Sequence, residues 1–220
     1  MTVIAPDPMV DAGAAMIVLP GGGFGGLAWD SEGTEVGEYL ADQGVTAFVL
    51  KYRVQTPPLW RALPFLVGQV TAGMEPSIAA AAADATQALH VIRDRAAEFG
   101  VDPDRIGMMG FSAGAITMLR VLQNTDQADR PDFAASVYGI LVDGTARIRP
   151  QGTPMFVAAA EPDPTVSDAK TLDSLWSEAG APVEMQLFES GDHGFGLGRP
   201  GTDSERFASL FSNWLAGVIA

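Results

Sequence analysis

Short apolar runs alternate with amphipathic stretches along the whole chain. Residues 14–19 (Ala-Ala-Met-Ile-Val-Leu) contain no polar position, which predicts a strand buried on both faces of a parallel sheet. Further apolar runs at 45–52, 106–109, 133–142 and 155–160 predict strands of the same kind, and 183–188 alternates as a half-buried strand does. Between them lie segments of helical period. Residues 31–43 carry Val36, Tyr39 and Leu40 on one face and stop at Gly44, while 84–99 line up Ala85, Leu89, Ile92, Ala96 and Phe99 before Gly100. Helices are also predicted from 115 to about 123, over 167–179 with Ser167 as N-cap, and over 202–216 with Phe207, Leu210, Phe211 and Trp214 in a stripe. Strand and helix alternating in this way predict an α/β sandwich with a mostly parallel central sheet and helices on both faces, built as one domain over residues 1–220.

One stretch breaks the alternation. Residues 54–82 interleave Pro57, Pro58, Pro64 and Pro76 with Leu59, Trp60, Leu63, Phe65, Leu66, Val67 and Met74. An apolar, proline-broken excursion between a strand and a helix suits either a small cap over a pocket or a loop packed down as satellite core. On the cap reading Trp60, Phe65 and Leu66 border a substrate pocket, together with Phe24 and Phe111.

Composition then narrows the partners. With 27 acidic against 13 basic residues the net charge is -14, which argues against nucleic acid and anionic lipid, since both need clustered Lys and Arg. No cysteine is present, so disulfides, thiolate nucleophiles and sulfur metal ligands are excluded together, and no metal site is expected. The first eleven residues have two prolines and no basic segment, so no signal peptide is read and a cytoplasmic location is expected; a trimmed secreted chain would read the same. The alanine run around 79–83 is too short for a membrane span.

Candidate chemistry gathers where the predicted strands end. Gly110-Phe111-Ser112-Ala113-Gly114 stands between the 106–109 run and a helix, the context of a nucleophile elbow, in which a serine tops a tight strand-to-helix turn. Glycines on either side remove side chains that would strike the neighbouring strand or helix. A serine hydroxyl needs a base, and the base needs a carboxylate to fix its tautomer. Of the two histidines, His90 lies within a helix, whereas His193 follows the 183–188 strand in a glycine-flanked loop and is the expected base. Among Asp143, Glu161, Asp163 and Asp168, Asp163 falls in the proline-stiffened turn directly after the 155–160 strand and is the expected acid. The order Ser112, Asp163, His193 is the one an elbow serine requires. Backbone N–H groups of Ala113, Gly22 and Gly23 are the expected oxyanion donors. Gly21, Gly23 and Gly26 also satisfy the dinucleotide pattern G-x-G-x-x-G, and Arg53 after the second strand would suit a 2′-phosphate; that NADP-type reading leaves Ser112 and His193 without a role.

With these residues in place the chain resembles the α/β-hydrolase superfamily, and within it small carboxylesterases related to acetylxylan-esterase-like and hormone-sensitive-lipase-like enzymes. The likeness is carried by residues 19–24, 32–53, 102–107, 110–114 and 193–196. It implies the α/β-hydrolase fold and a serine esterase acting on short acyl esters, in several relatives acetylated sugars, without metal or organic cofactor. The partner it implies is a small-molecule ester, and a homodimer stays open. Pro20 stands where lipase-like relatives have histidine, which shifts the likeness toward the acetylxylan-esterase-like branch.

Overall fold

A computed structural model describes the backbone of residues 1–54, 67–123, 126–142 and 148–220, and their side chains apart from 67–73. Seven strands form one sheet: β1 (Thr2–Ile4), β2 (Ala14–Leu19), β3 (Val45–Val49), β4 (Ile106–Phe111), β5 (Ala134–Val137), β6 (Met155–Ala160) and β7 (Val183–Phe188). Their spatial order is β1-β3-β2-β4-β5-β6-β7, parallel throughout except for β1, which pairs antiparallel with β3. The helices are α1 (Glu35–Asp42), entered through a π-turn at Asp30–Thr34, α2 (Val67–Asp94), α3 (Ala96–Phe99), α4 (Ala113–Val121), α5 (Val166–Glu178) and α6 (Phe207–Ile219).

Apolar residues of both parities along each strand explain how helices come to cover both faces. In β2, Ala15, Ile17 and Leu19 join Ile78, Leu89, Ile92, Leu119 and Trp176 in one core, while Ala14, Met16 and Val18 join Val36, Leu40, Phe207 and Phe211 in the other. Successive strand side chains point to opposite faces, so an all-apolar run builds two cores at once. The second core is aromatic near β6 and β7, where Phe156, Phe188, Phe195, Phe207 and Phe211 meet ring to ring. Each buried ring of this kind contributes roughly 1.5–3 kcal/mol of burial free energy.

The elements depart from the sequence expectation at four points. Helix α2 opens at Val67, well before residue 84, so the second half of the 54–82 stretch is helical; alanines 79–83 favour helix strongly enough to carry Pro76 inside it. Residues 55–66, with Trp60, Phe65 and Leu66, lie outside the described residues, and so does the cap reading that rests on them. The predicted helix 84–99 is broken at Arg95, where φ is -115°. The strand expected over 133–142 pairs only as Ala134–Val137, because Tyr138 turns the chain with φ 39°. The three-residue β1 was too short to leave a periodic signal.

Sheet order also decides where a site can form. The chain runs from β2 to β3 on one side, then crosses to β4 on the other, so the connections leaving the carboxyl ends of β2 and β4 diverge. In open parallel sheets that divergence leaves a crevice. Pro20 follows one of those ends and Ser112 the other.

Candidate active site

Ser112 caps the N-terminus of α4 at φ 50° and ψ -114°, a backbone state that costs a non-glycine residue roughly 1–3 kcal/mol and persists only when its surroundings enforce it. Its own N–H donates to the Val137 carbonyl at 3.0 Å, tying the turn to β5. The flanking glycines enforce the rest. A Cβ on Gly110 would drive into the Gly114 carbonyl, and one on Gly114 would drive into the Leu19 carbonyl of β2, both well inside contact distance. Strand, turn, helix and neighbouring strand are therefore packed backbone on backbone, as the sequence predicted.

The serine hydroxyl lies 2.9 Å from Nε2 of His193, and His193 Nδ1 lies 2.6 Å from Oδ2 of Asp163. With a carboxylate at Nδ1, that nitrogen carries the proton and Nε2 is left to accept one from Ser112. Asp163 is held by more than the histidine. Its Oδ1 accepts the Thr165 N–H at 2.9 Å and its own N–H donates to the Ala160 carbonyl at the end of β6. Burial pushes its carboxyl up, yet the hydrogen bonds from His193 and Thr165 outweigh burial and hold it below the ordinary carboxylate range. The Asp163 side chain is 1% exposed and that of His193 43%, so the line runs from a dry acid to an accessible imidazole. The histidine loop is steadied from outside by Arg199, which donates to the His193 carbonyl at 3.4 Å and pairs with Asp192 at 3.1 Å.

The competing residues go elsewhere. His90 pairs with Asp129, Glu161 with Lys170, and Asp168 accepts the Leu141 N–H; Asp143 lies outside the described residues. Ala113 is the first residue of α4, where an N–H has no partner within the helix. Gly22 and Gly23 adopt φ 128° and 61°, and a Cβ on Gly22 would collide with the Gly26 carbonyl, so the glycine loop folds tightly on itself. The next helical turn opens only at Asp30, four residues beyond Gly26, which deprives the dinucleotide pattern of the helix N-terminus it needs. Phe24 and Phe111 are fully buried, Phe24 edge-on to Tyr52 and Phe111 tilted against Tyr138.

Two residues were given no site role by the sequence. Glu32 is buried in the Asp30–Thr34 turn and accepts hydrogen bonds from the Gly21 N–H and the Tyr138 hydroxyl, both at 2.7 Å. Tyr138 packs its ring against that of His193, tilted, with centroids 4.8 Å apart, and takes the Gly196 N–H at 3.2 Å. Burial, reinforced by the Glu32 carboxylate, pushes the Tyr138 hydroxyl well above its ordinary range, so it stays a donor. An acid in a helix's first turn usually caps it from solvent, and a tyrosine inside an apolar run reads as core. Only their meeting across 106 residues gives them another meaning.

A serine, a histidine and an aspartate joined in that order at the carboxyl ends of a mostly parallel sheet define the α/β-hydrolase class of fold and site. Within it, the chain belongs to the Dienelactone hydrolase family, whose model matches residues 24–213. An acetylxylan esterase of Xylanibacter ruminicola is 25% identical, covering 97% of this chain and 47% of its own; the chain thus spans about half the length of that curated relative. Among solved structures, an alpha/beta hydrolase enzyme from a Medee basin deep-sea metagenome library superposes with a TM-score of 0.76 at 25% identity, over 98% of this chain and 89% of that one. The acetyl ester-xyloside bifunctional hydrolase of Caldicellulosiruptor lactoaceticus gives 0.75 at 23% identity, over 98% and 87%, and bears on the fold alone. Among the described residues no helix is long and apolar enough to cross a membrane.

Proposed function

We propose that the chain is a serine esterase that cleaves short acyl esters through an acyl-enzyme. The observation that carries this reading is the unbroken line from Ser112 Oγ through His193 to Asp163, with distances of 2.9 and 2.6 Å. Ser112 Oγ attacks the ester carbonyl carbon while His193 Nε2 takes its proton. Asp163 keeps the imidazole in the required tautomer and stabilises its cation, remaining ionised itself. Negative charge collects on the former carbonyl oxygen, where the N–H groups of Ala113, Gly22 and Gly23 meet it. As the tetrahedral centre collapses the C–O bond breaks and the alcohol leaves with the proton from His193. Water then repeats the sequence on the acyl-serine, releasing the acid and restoring Ser112.

Acetyl esters, acetylated carbohydrates among them, are the proposed substrate class, supported by the likeness to an acetylxylan esterase. The test is labelling with a fluorophosphonate alongside p-nitrophenyl acetate hydrolysis. Stoichiometric labelling at Ser112 that disappears in Ser112→Ala supports the reading, and hydrolysis surviving that substitution undiminished would sink it. A panel of acetylated xylo-oligosaccharides against longer acyl esters separates the proposed substrate class from its alternatives.

A further inference from the structure

Glu32 is a buried carboxylate with no cation beside it: none of the ion pairs among the described residues includes it. Its two oxygens face two donors that belong to different parts of the site. Oε2 takes the N–H of Gly21, the residue immediately before Gly22 and Gly23. Oε1 takes the hydroxyl of Tyr138, whose own oxygen takes the N–H of Gly196, three residues past His193. Because the Tyr138 oxygen accepts from Gly196, its proton is committed to Glu32 and the chain has one direction. Gly21 also sits between the carboxylate and the nucleophile. The point a Gly21 Cβ would occupy is 2.6 Å from Glu32 Oε2 and 3.1 Å from Ser112 Cβ.

Burying a carboxylate away from water is costly, and two neutral donors offset that cost less well than a cation does. An apolar residue would avoid the buried charge but leave the Gly21 N–H and the Tyr138 hydroxyl unpaired, and a glutamine could accept at one end alone. What only a carboxylate supplies is an acceptor at both ends, and here both ends hold a loop that the reaction uses.

We propose that Glu32 is a positioning residue: it locks the glycine loop to the histidine loop, through Gly21 on one side and through Tyr138 and Gly196 on the other. The proposal rests on the reading of Ser112 as nucleophile. In Glu32→Gln one end of the side chain becomes an NH2 donor, so it faces either the Gly21 N–H or the Tyr138 hydroxyl with the wrong polarity. Tyr138→Phe removes the link from the other side and leaves the Gly21 contact intact.

Three readings on wild type and both variants decide the matter. Active sites are counted by the p-nitrophenol burst with diethyl p-nitrophenyl phosphate, turnover of p-nitrophenyl acetate is expressed per counted site, and Gly21 amide exchange is followed by NMR. The expected result is kcat per counted site lowered about 10- to 100-fold in each variant, since donors are displaced rather than removed. KM should stay within about threefold, because the contact acts on the transition state more than on substrate binding. Gly21 exchange should keep its wild-type rate in Tyr138→Phe and accelerate in Glu32→Gln where the new NH2 faces Gly21. A merely structural role would lower the number of active sites and leave turnover per site within about twofold of wild type, which overturns the proposal. Unchanged Gly21 protection alongside wild-type turnover per counted site in Glu32→Gln also overturns it. Should Glu32→Gln fail to fold, wild-type turnover per site in Tyr138→Phe overturns it alone. A wild type with neither burst nor hydrolysis defeats the Ser112 reading instead, and the two failures are told apart before any Glu32 variant is made.

Discussion

The two histidines of this chain make a natural comparison, because each sits 2.6 Å from an aspartate and one pair belongs to the candidate site. His90 and Asp129 are 39% and 33% exposed, on α2 and the short turn that follows α4. His193 is equally open at 43%, but Asp163 is 1% exposed and further fixed by the Thr165 N–H. The second nitrogen differs as well: that of His193 reaches Ser112, a residue held in a strained turn. A short contact between imidazole and carboxylate is thus common to both. What separates them is a dry acid that cannot swing away and a third group at the far nitrogen.

The largest effect that would break the comparison is Ser112→Ala, expected to lower kcat/KM for p-nitrophenyl acetate by about 10⁴-fold or more, since the three groups act as a unit. Next comes a matched pair of substitutions. Asp163→Asn should cost roughly 10³- to 10⁴-fold in kcat by stabilising the wrong tautomer, whereas Asp129→Asn should leave kcat within about twofold. Equal losses in both would remove the distinction drawn between the two pairs.

Gly114→Ala tests the scaffold beneath Ser112. A methyl group there meets the Leu19 carbonyl, and thermal unfolding should show a destabilisation of about 1–3 kcal/mol or more, accompanied by lost turnover.

Acid titration gives a subtler contrast. The folded Asp163 carboxyl is held below its ordinary value, so its contribution to stability is fully present above the unfolded pKa of about 3.9 and is lost as pH falls through the depressed folded value. Melting temperatures measured from about pH 5 downward should therefore drop more steeply in wild type than in Asp163→Asn. The smallest effect belongs to His90→Ala, which should change stability by less than about 1 kcal/mol and activity not at all, as exposed pairs contribute little.

Much of this was legible in the chain because period and punctuation carried it. Apolar runs marked the buried strands, and the glycines at 110 and 114 marked an elbow whose crowding is now visible in the Gly114 contact with β2. Ser112, Asp163 and His193 could be placed because each follows a strand, and strand ends are where side chains of distant segments converge. The failures share a cause. Tyr138 was read as strand, and Glu32 was given no chemical role, because burial of a polar group is a property of its partners and these lie 106 residues apart. Full burial of Phe24 and Phe111 was likewise not legible, since an aromatic beside a catalytic motif reads the same whether it faces ligand or core. The opening of α2 at Val67 was missed because prolines were weighed as breakers across the stretch, while the alanine run that extends the helix carries no periodic signal.

The site's three side chains are drawn from positions far apart along the chain, Ser112 and His193 by 81 residues and His193 and Asp163 by 30. Such contacts close only after the loops between them have been ordered, and long-range closure is the slow part of folding for parallel sheets. On a ribosome the elbow emerges 81 residues before its histidine, so Ser112 has no base beside it until the chain beyond β7 has been ordered. In a refolding experiment helical signal should return first and esterase turnover last, which makes turnover a clock for the final strand.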